Sequence, residues 1–353
     1  MFWVLGVVVA QAFGLLIVMA MLTAALLLPG GGVDIAALAV SLRNPAFLAQ
    51  LQETFQVPLF AGSQVIFVAI VLIAARLRLG RQAGRLLATS RLLPGHAGLI
   101  VLAVLPLSIL STKTYVWFTM AVWEPLKGLV PALEEFDGLN SMAMLNEMVQ
   151  TTPIWILLLS MAVVPALAEE LVFRGIIGRG LIARWGVPVG VLITSVMFAA
   201  MHVHPAHVVG VIPLGIAMHF VYLATRSFWA PVLFHLLNNT VAVFSARVLH
   251  QASIDAADAG MKIGLTPVDL SAGWVLASVS CAAAIGLRLW STRVRYCTPE
   301  GDLWSPGYRT VEAPPLETLA RRMTLGQGDW SFALVVVSVV VFVTASFMAV
   351  GGV

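Results

Sequence analysis

Charge is what this sequence has least of. Only 10% of its 353 residues are Asp, Glu, Lys or Arg, while 60% are hydrophobic, and the mean hydropathy is +0.96. A soluble domain carries about 25% charged residues, so a water-soluble globule is excluded and an integral, multi-pass membrane protein is expected. Cysteine is nearly absent. Cys281 and Cys297 are the only two, which excludes a disulfide framework, and both are read as free thiols. No Lys/Arg run with interleaved aromatics is present, so no nucleic-acid partner is expected. The net charge of +3 is too small to point to any other partner. HExxH and GxSxG are both missing, which removes the usual signatures of zinc proteases and serine hydrolases. There is no internal repeat and no low-complexity tract. The apolar run 2–28 has no charge before it and is too long for a signal-peptide core, so it is read as a retained span.

Long apolar runs are what the chain has instead. A helix needs about 20 apolar residues to cross the bilayer. Candidate spans fall at 2–28, 57–75, 95–111, 153–182, 187–205, 207–224, 229–248, 271–290 and 330–350, which gives an all-α, polytopic transmembrane bundle of about nine spans. The stretch 114–133 is interrupted by Glu124, Pro125 and Lys127 and reads as interfacial or re-entrant. Arg76, Arg78, Arg81, Arg85 and Arg91 share a loop with no acid, which the positive-inside rule places in the cytoplasm. Alternation then puts the N-terminus in the cytoplasm, with Arg174, Arg179, Arg184, Arg226, Arg288, Arg293 and Arg295 inside. The acid-rich loops 112–152 and 249–270 fall outside. The proline-containing segment 291–329 reads as a loose cytoplasmic linker. A bacterial cytoplasmic membrane is the expected location.

The few polar residues inside the spans carry the chemistry. Burying a carboxylate in hydrocarbon costs several kcal/mol unless it is paired or used, yet "EELVFR" at 169–174 holds two adjacent ones. Residues four apart share a helix face. Glu170 can therefore be neutralised by Arg174, whereas the corresponding neighbour of Glu169 is Phe173. One carboxylate looks structural and the other free; a charge cluster facing headgroups is the plainer alternative. The next span carries Phe198 and His202. Counted from the turn near 183–188, Glu169 lies about 16 residues before and His202 about 17 after, and at 1.5 Å per residue that puts them at nearly equal depth. The span "FWAPVLFHLLNNTVAVF" adds His235 and Asn239 on one face, with Asn238 pointing elsewhere, toward an interhelical hydrogen bond. The same count leaves His235 nearer the cytoplasmic end than His202, which a tilted or cytoplasmically extended 169–202 hairpin would repair. "HVHPAH" at 202–207 resembles a metal cluster, but Pro205 breaks the helix there. "GQGD" at 326–329 is simpler as a helix start, with Asp329 as the cap.

Taken in order, "EELVFR", "FAAMH" at 198–202 and "HLLNN" at 235–239 resemble the EExxxR, FxxxH and HxxxN motifs of the CPBP family, which comprises type II CAAX prenyl proteases and bacteriocin-processing (ABI) enzymes. The resemblance covers about 153–248. It implies an intramembrane endopeptidase that hydrolyses membrane-associated protein or peptide substrates by glutamate-activated water. Glu169 matches the catalytic glutamate, and Glu170 and Arg174 its supporting pair. His202 matches the water-binding histidine, and His235 with Asn239 the oxyanion pair. Phe198 and Asn238 are supporting residues. The chemistry suits the residue types: a partly buried Glu is a competent base, and a neutral His N–H and an Asn amide are competent oxyanion donors. No cofactor and no metal are expected. Zinc held by the same residues is the alternative within enzymes, and a non-proteolytic scaffold or bacteriocin-immunity protein the alternative outside them.

The chain thus divides into N-terminal helices with an outer loop (1–152), a protease-like core (153–248) and an extension with two further spans and the linker (249–353). Its orientation can be tested directly. A cysteine placed at Gly84 or Gly307 should resist an impermeant thiol reagent in intact cells; labelling of either would reverse the topology.

Overall fold

The computed structural model describes residues 40, 43–89, 91–258, 271–304, 310, 312–323 and 329–351. The expected span 2–28 and most of "GQGD" lie outside the described residues. The helices are α1 (Pro45–Leu79), α2 (Pro94–Leu129), α3 (Ser141–Thr151), α4 (Ile154–Trp185), α5 (Val187–Ala200), α6 (Pro205–Thr225), α7 (Trp229–Asp258), α8 (Ala272–Ser291) and α9 (Ser331–Gly351). Seven helical stretches among the described residues are long and apolar enough to cross a membrane. This is an all-α, multi-pass bundle.

Helix α2 is the hub. It packs against α6, α7 and α8, while α9 leans on α8, and α4 sits against α1, α5 and α7. The core includes Phe67, Ile100, Phe173, Phe198, Phe234 and Ile285, all essentially inaccessible. Large apolar side chains such as Val65, Leu72, Val101, Leu105, Val337 and Val340 face outward. Apolar residues on both the inner and the outer faces are what a bundle in hydrocarbon requires.

Three details differ from the sequence reading. Residues 114–133 are not a separate re-entrant segment. Helix α2 continues through a wide turn at Thr119–Trp123 into Glu124–Leu129. Pro125 is accommodated because it falls in the first turn of that last piece, where a missing N–H costs little. Lys127 is neutralised by Glu124 at 2.9 Å and Asp137 at 2.6 Å. The Asp137 carboxyl lies below its ordinary value, at about 2, chiefly through Lys127 and the Trp123 indole N–H. The expected span 187–205 is shorter: α5 stops at Ala200 after 14 residues, less than the length of about 20 that crosses a bilayer. The linker 291–329 is not wholly loose. Val294–Cys297 (β1) and Leu319–Arg322 (β2) pair antiparallel, with Val294 opposite Arg322 and Cys297 opposite Leu319. Alternating β-branched and aromatic residues in "VRYC" favour that pairing. Cys281 and Cys297 are free, as expected, and both are buried. Asp329 accepts the backbone N–H of Ser331 at 3.0 Å, capping the start of α9 much as read from the sequence.

Helices α4 and α5 form a tight hairpin. Gly186 makes the turn at φ +79°, and Gly190 lies so close to α4 that a Cβ there would meet the Ile182 backbone nitrogen at 2.6 Å. Backbone cannot yield as a side chain can. Gly190→Leu should therefore destabilise the bundle by about 1–3 kcal/mol or more, read as a lowered thermal midpoint in detergent. An unchanged midpoint would show that the hairpin is looser than described.

Candidate active site

The site is built on α4, which is not a uniform helix. Wide, π-type turns occupy Leu158–Val163 and Leu171–Gly178, on either side of Glu169 and Glu170. Such turns are rare and cluster at functional sites. The first has an evident cause. In a regular α-helix the Met161 carbonyl would pair with the N–H of residue 165, and Pro165 has none. The Asn239 amide of α7 donates to that carbonyl at 2.9 Å. Asn239 thus ties α7 to α4 where the α4 ladder is broken.

Glu170 and Arg174 are joined as the four-residue spacing requires. Arg174 Nη1 donates to Glu170 Oε1 at 2.7 Å, and neither side chain is accessible. The guanidinium also donates from Nη2 to the Gly215 carbonyl of α6 at 3.0 Å and stacks over the Phe198 ring at 4.6 Å. His235 Nδ1 lies 2.9 Å from the same Glu170 oxygen. The same carboxylate oxygen already accepts from Arg174, and it accepts from Nδ1 as well, so Nδ1 carries the proton. In a neutral His235, Nε2 is then a lone pair. That nitrogen faces Glu169 Oε2 at 3.9 Å. Glu169 keeps 20% of its side chain accessible, whereas Glu170 keeps none. His235 is at the level of the glutamates, so its apparent displacement toward the cytoplasmic end does not survive in three dimensions.

Phe198 is the shared wall. Its ring meets those of His202 and His235 edge-on, each at 5.7 Å, and that of Phe173 at 5.4 Å. Phe173, which the sequence reading passed over as the non-partner of Glu169, is thus a packing partner of the site. His202 sits in the turn after α5. Its Nδ1 donates to the Ala199 carbonyl at 3.2 Å, and no hydrogen bond joins it to Glu169 among the described residues. Its ring is 4.5 Å from that of His207, a neighbour that the sequence reading did not pair with it. The signal was present in "HVHPAH", since helix α6 begins at Pro205 and folds His207 back over His202. Asn238 makes the interhelical hydrogen bond expected of it, accepting from Ser108 of α2 at 2.8 Å.

The three histidines of "HVHPAH" do not converge. Val203 between them adopts φ +60°, a left-handed conformation costly for a β-branched residue. It separates His202 from His204, whose Nε2 lies 3.3 Å from Asp137. His219 of α6 is buried against Gly178 on α4. No group of three His, Cys, Asp or Glu side chains that could hold a metal ion occurs among the described residues.

A bundle of membrane-length helices with a buried Glu–Arg–His network beside a second, partly exposed glutamate defines an integral membrane protein with an intramembrane polar site. Residues 151–241, which span this network from α3 to α7, match the family model described as "Rce1-like: Type II CAAX prenyl endopeptidase Rce1-like". The chain is also 32% identical over 104 residues to the "Putative membrane peptidase YdiL" of Bacillus subtilis (strain 168). That match takes in 30% of this chain and 41% of the relative, so the chain spans about two fifths of the length of the curated relative it matches. No solved structure matches. The resemblance of the core to CPBP membrane proteases, read from three short motifs, is borne out by both comparisons.

The buried pair generates a test. Arg174→Ala strands Glu170 without its cation, which for a buried pair costs on the order of 3–5 kcal/mol. Stability and yield should fall together. The double change Glu170→Gln with Arg174→Gln should be less destabilised than Arg174→Ala alone. Simple additivity of the two single defects would mean that the residues are not partners.

Proposed function

We propose that this protein is an intramembrane endopeptidase that cleaves membrane-associated proteins or peptides, with Glu169 as the base that activates water. The observation that carries this reading is the unequal treatment of two adjacent carboxylates. Glu170 is fully buried and bonded through Oε1 to Arg174 and His235, while Glu169 keeps 20% of its side chain accessible and meets His235 at Nε2, 3.9 Å away. An uncommitted acid inside a membrane bundle is a functional group by default.

The chemistry follows from the tautomers. Glu169 takes a proton from water, and the water oxygen adds to the peptide carbonyl carbon. Charge develops on the carbonyl oxygen, where donors are needed. The Asn239 amide has two N–H groups; one is spent on Met161, and the second serves the oxyanion. The proton on Glu169 lies within a short reorientation of His235 Nε2. Protonated there, His235 is an imidazolium stabilised by Glu170 at Nδ1, as in other carboxylate–histidine pairs. It then stabilises the oxyanion, and the proton finally goes to the leaving amine as the C–N bond breaks. His202, with Nδ1 spent on Ala199, offers Nε2 to hold the water. CAAX-type processing is the substrate class the family match suggests; the arginine clusters support an orientation with the N-terminus inside, and a bacterial cytoplasmic membrane is the location proposed. The reaction is proposed to need no metal.

Glu169→Gln preserves shape and removes the basic oxygen. It should lower turnover of a membrane-peptide substrate by roughly 10²–10⁴ with the thermal midpoint unchanged. Full turnover would remove Glu169 from the mechanism. Exhaustive chelation of the purified protein should leave activity intact. If activity vanished on metal removal and returned with added zinc, the same residues would form a metalloprotease site instead.

A further inference from the structure

The turn that carries His202 is held in an unfavourable shape. Val203 lies at φ +60°, and the His204 N–H donates back across it to the His202 carbonyl at 2.6 Å. A three-residue turn closed in this way around a positive φ is rare and strained, and a β-branched residue at its centre is an outlier. Strain of this kind persists only where the surroundings over-determine it. Val203 does not supply that restraint, because its own side chain is exposed. The His202 Nδ1 bond to the Ala199 carbonyl is local to the same turn. His204 is different: it is only 2% accessible, and its contacts lie on other elements.

His204 Nε2 donates to Asp137 Oδ1 at 3.3 Å, and the His204 ring meets that of Trp123 edge-on at 5.3 Å. Asp137 belongs to the helical segment Pro131–Leu139, which follows α2. Two donors from the end of α2 fix it in turn. The Trp123 indole N–H donates to Oδ1 at 2.9 Å, and Lys127 Nζ donates to Oδ2 at 2.6 Å. A single residue separates His204 from His202, and the hydrogen bond across it closes the two into one turn. A shift of His204 is therefore passed to His202. No hydrogen bond joins His202 to Glu169 among the described residues, so the bearing of its ring is set by this turn and by its edge contacts with Phe198 and His207.

We propose that Asp137 and His204 form a latch that positions His202 for the reaction, an inference that rests on the reading of His202 as the group that holds the attacking water. Both are positioning residues, since each acts through the backbone of His202 and neither meets the substrate. The Asp137 carboxyl, held at about 2 chiefly by Lys127 and Trp123, stays an acceptor over the whole working range of pH. The segment between α2 and α3, which lies outside the three motifs, thereby acquires a part in the chemistry.

The test uses the full chain in detergent with a membrane-peptide substrate. H204F keeps a ring against Trp123 and loses the bond to Asp137. D137A and H204F should each lower kcat by about ten- to a hundredfold, the range that a misplacement of about 1 Å commands, with KM nearly unchanged. The double variant should be no slower than the slower single one, because partners in one network are not additive. E135Q, which removes a charge from the same segment outside the latch, should match the parent. V203G added to D137A should recover part of the loss, since glycine takes a positive φ without strain. Modification of His202 by diethyl pyrocarbonate, followed residue by residue by mass spectrometry, needs no turnover and should run faster in D137A and H204F than in the parent. An unchanged rate at His202 in both variants would overturn the latch. So would additive losses of kcat, which would mean that Asp137 acts through Lys127 rather than through His204. Full turnover by E169Q would instead overturn the reading of Glu169, and the rates at His202 would still decide the latch.

Discussion

The ion pair between Glu170 and Arg174 is the constraint around which the core is arranged. Two charges with no accessible surface are tolerable only if they are paired and further hydrogen-bonded. That requirement recruits three other elements. Helix α6 supplies the Gly215 carbonyl to Arg174, α7 supplies His235 to Glu170, and α5 supplies the Phe198 face to the guanidinium. The helices are thereby held at one depth and one rotation. In hydrocarbon no hydrophobic force exists between apolar helices to do this.

One consequence is the division of labour between neighbouring carboxylates. Consecutive helix positions point about 100° apart, so a network that closes on Glu170 leaves Glu169 on another bearing. The same network sets the His235 tautomer, because the Glu170 oxygen that meets Nδ1 is an acceptor. The electronic state of the nitrogen that faces Glu169 is thus decided on the far side of the ring. A second consequence concerns the backbone. Pro165 removes a donor from α4, and Asn239 restores it from α7, so one amide serves both the packing of the bundle and the site.

Close approach makes these contacts reachable. Gly190 admits the Ile182 backbone, and Gly215 lies where a Cβ would stand 3.1 Å from Ser195. Small residues at helix crossings are the usual means of bringing backbones together in membranes. Without them the Gly215 carbonyl would stand farther from Arg174, and the buried pair would lose one of its compensations. Outside the core, the arginine loop and the C-terminal extension are drawn together by backbone-directed hydrogen bonds, a different device from the packing that holds the spans.

Several features were legible in the amino-acid sequence because they depend only on residues close together along one helix. The Glu170–Arg174 pair follows from a spacing of four, the spans from length and composition, and the Asp329 cap from its place before an apolar run. Other features depend on how one helix is turned and raised against another, which no local pattern encodes. His235 and Glu170 are 65 residues apart, and their meeting is decided by the packing of α7 on α4. Depth counting matched Glu169 with His202, but α5 ends before His202 and the chain turns at Val203, so the count ran past the helix it assumed. The partner of Asn239 is a carbonyl freed by a proline on another element, and the ring beside His202 is His207 from the start of the next helix. Sequence alone determined which polar residues are embedded and which two must pair, because desolvation and helix geometry act locally. Tertiary structure alone decided which of the others meet, because interhelical contacts are set by the shapes of whole packed faces.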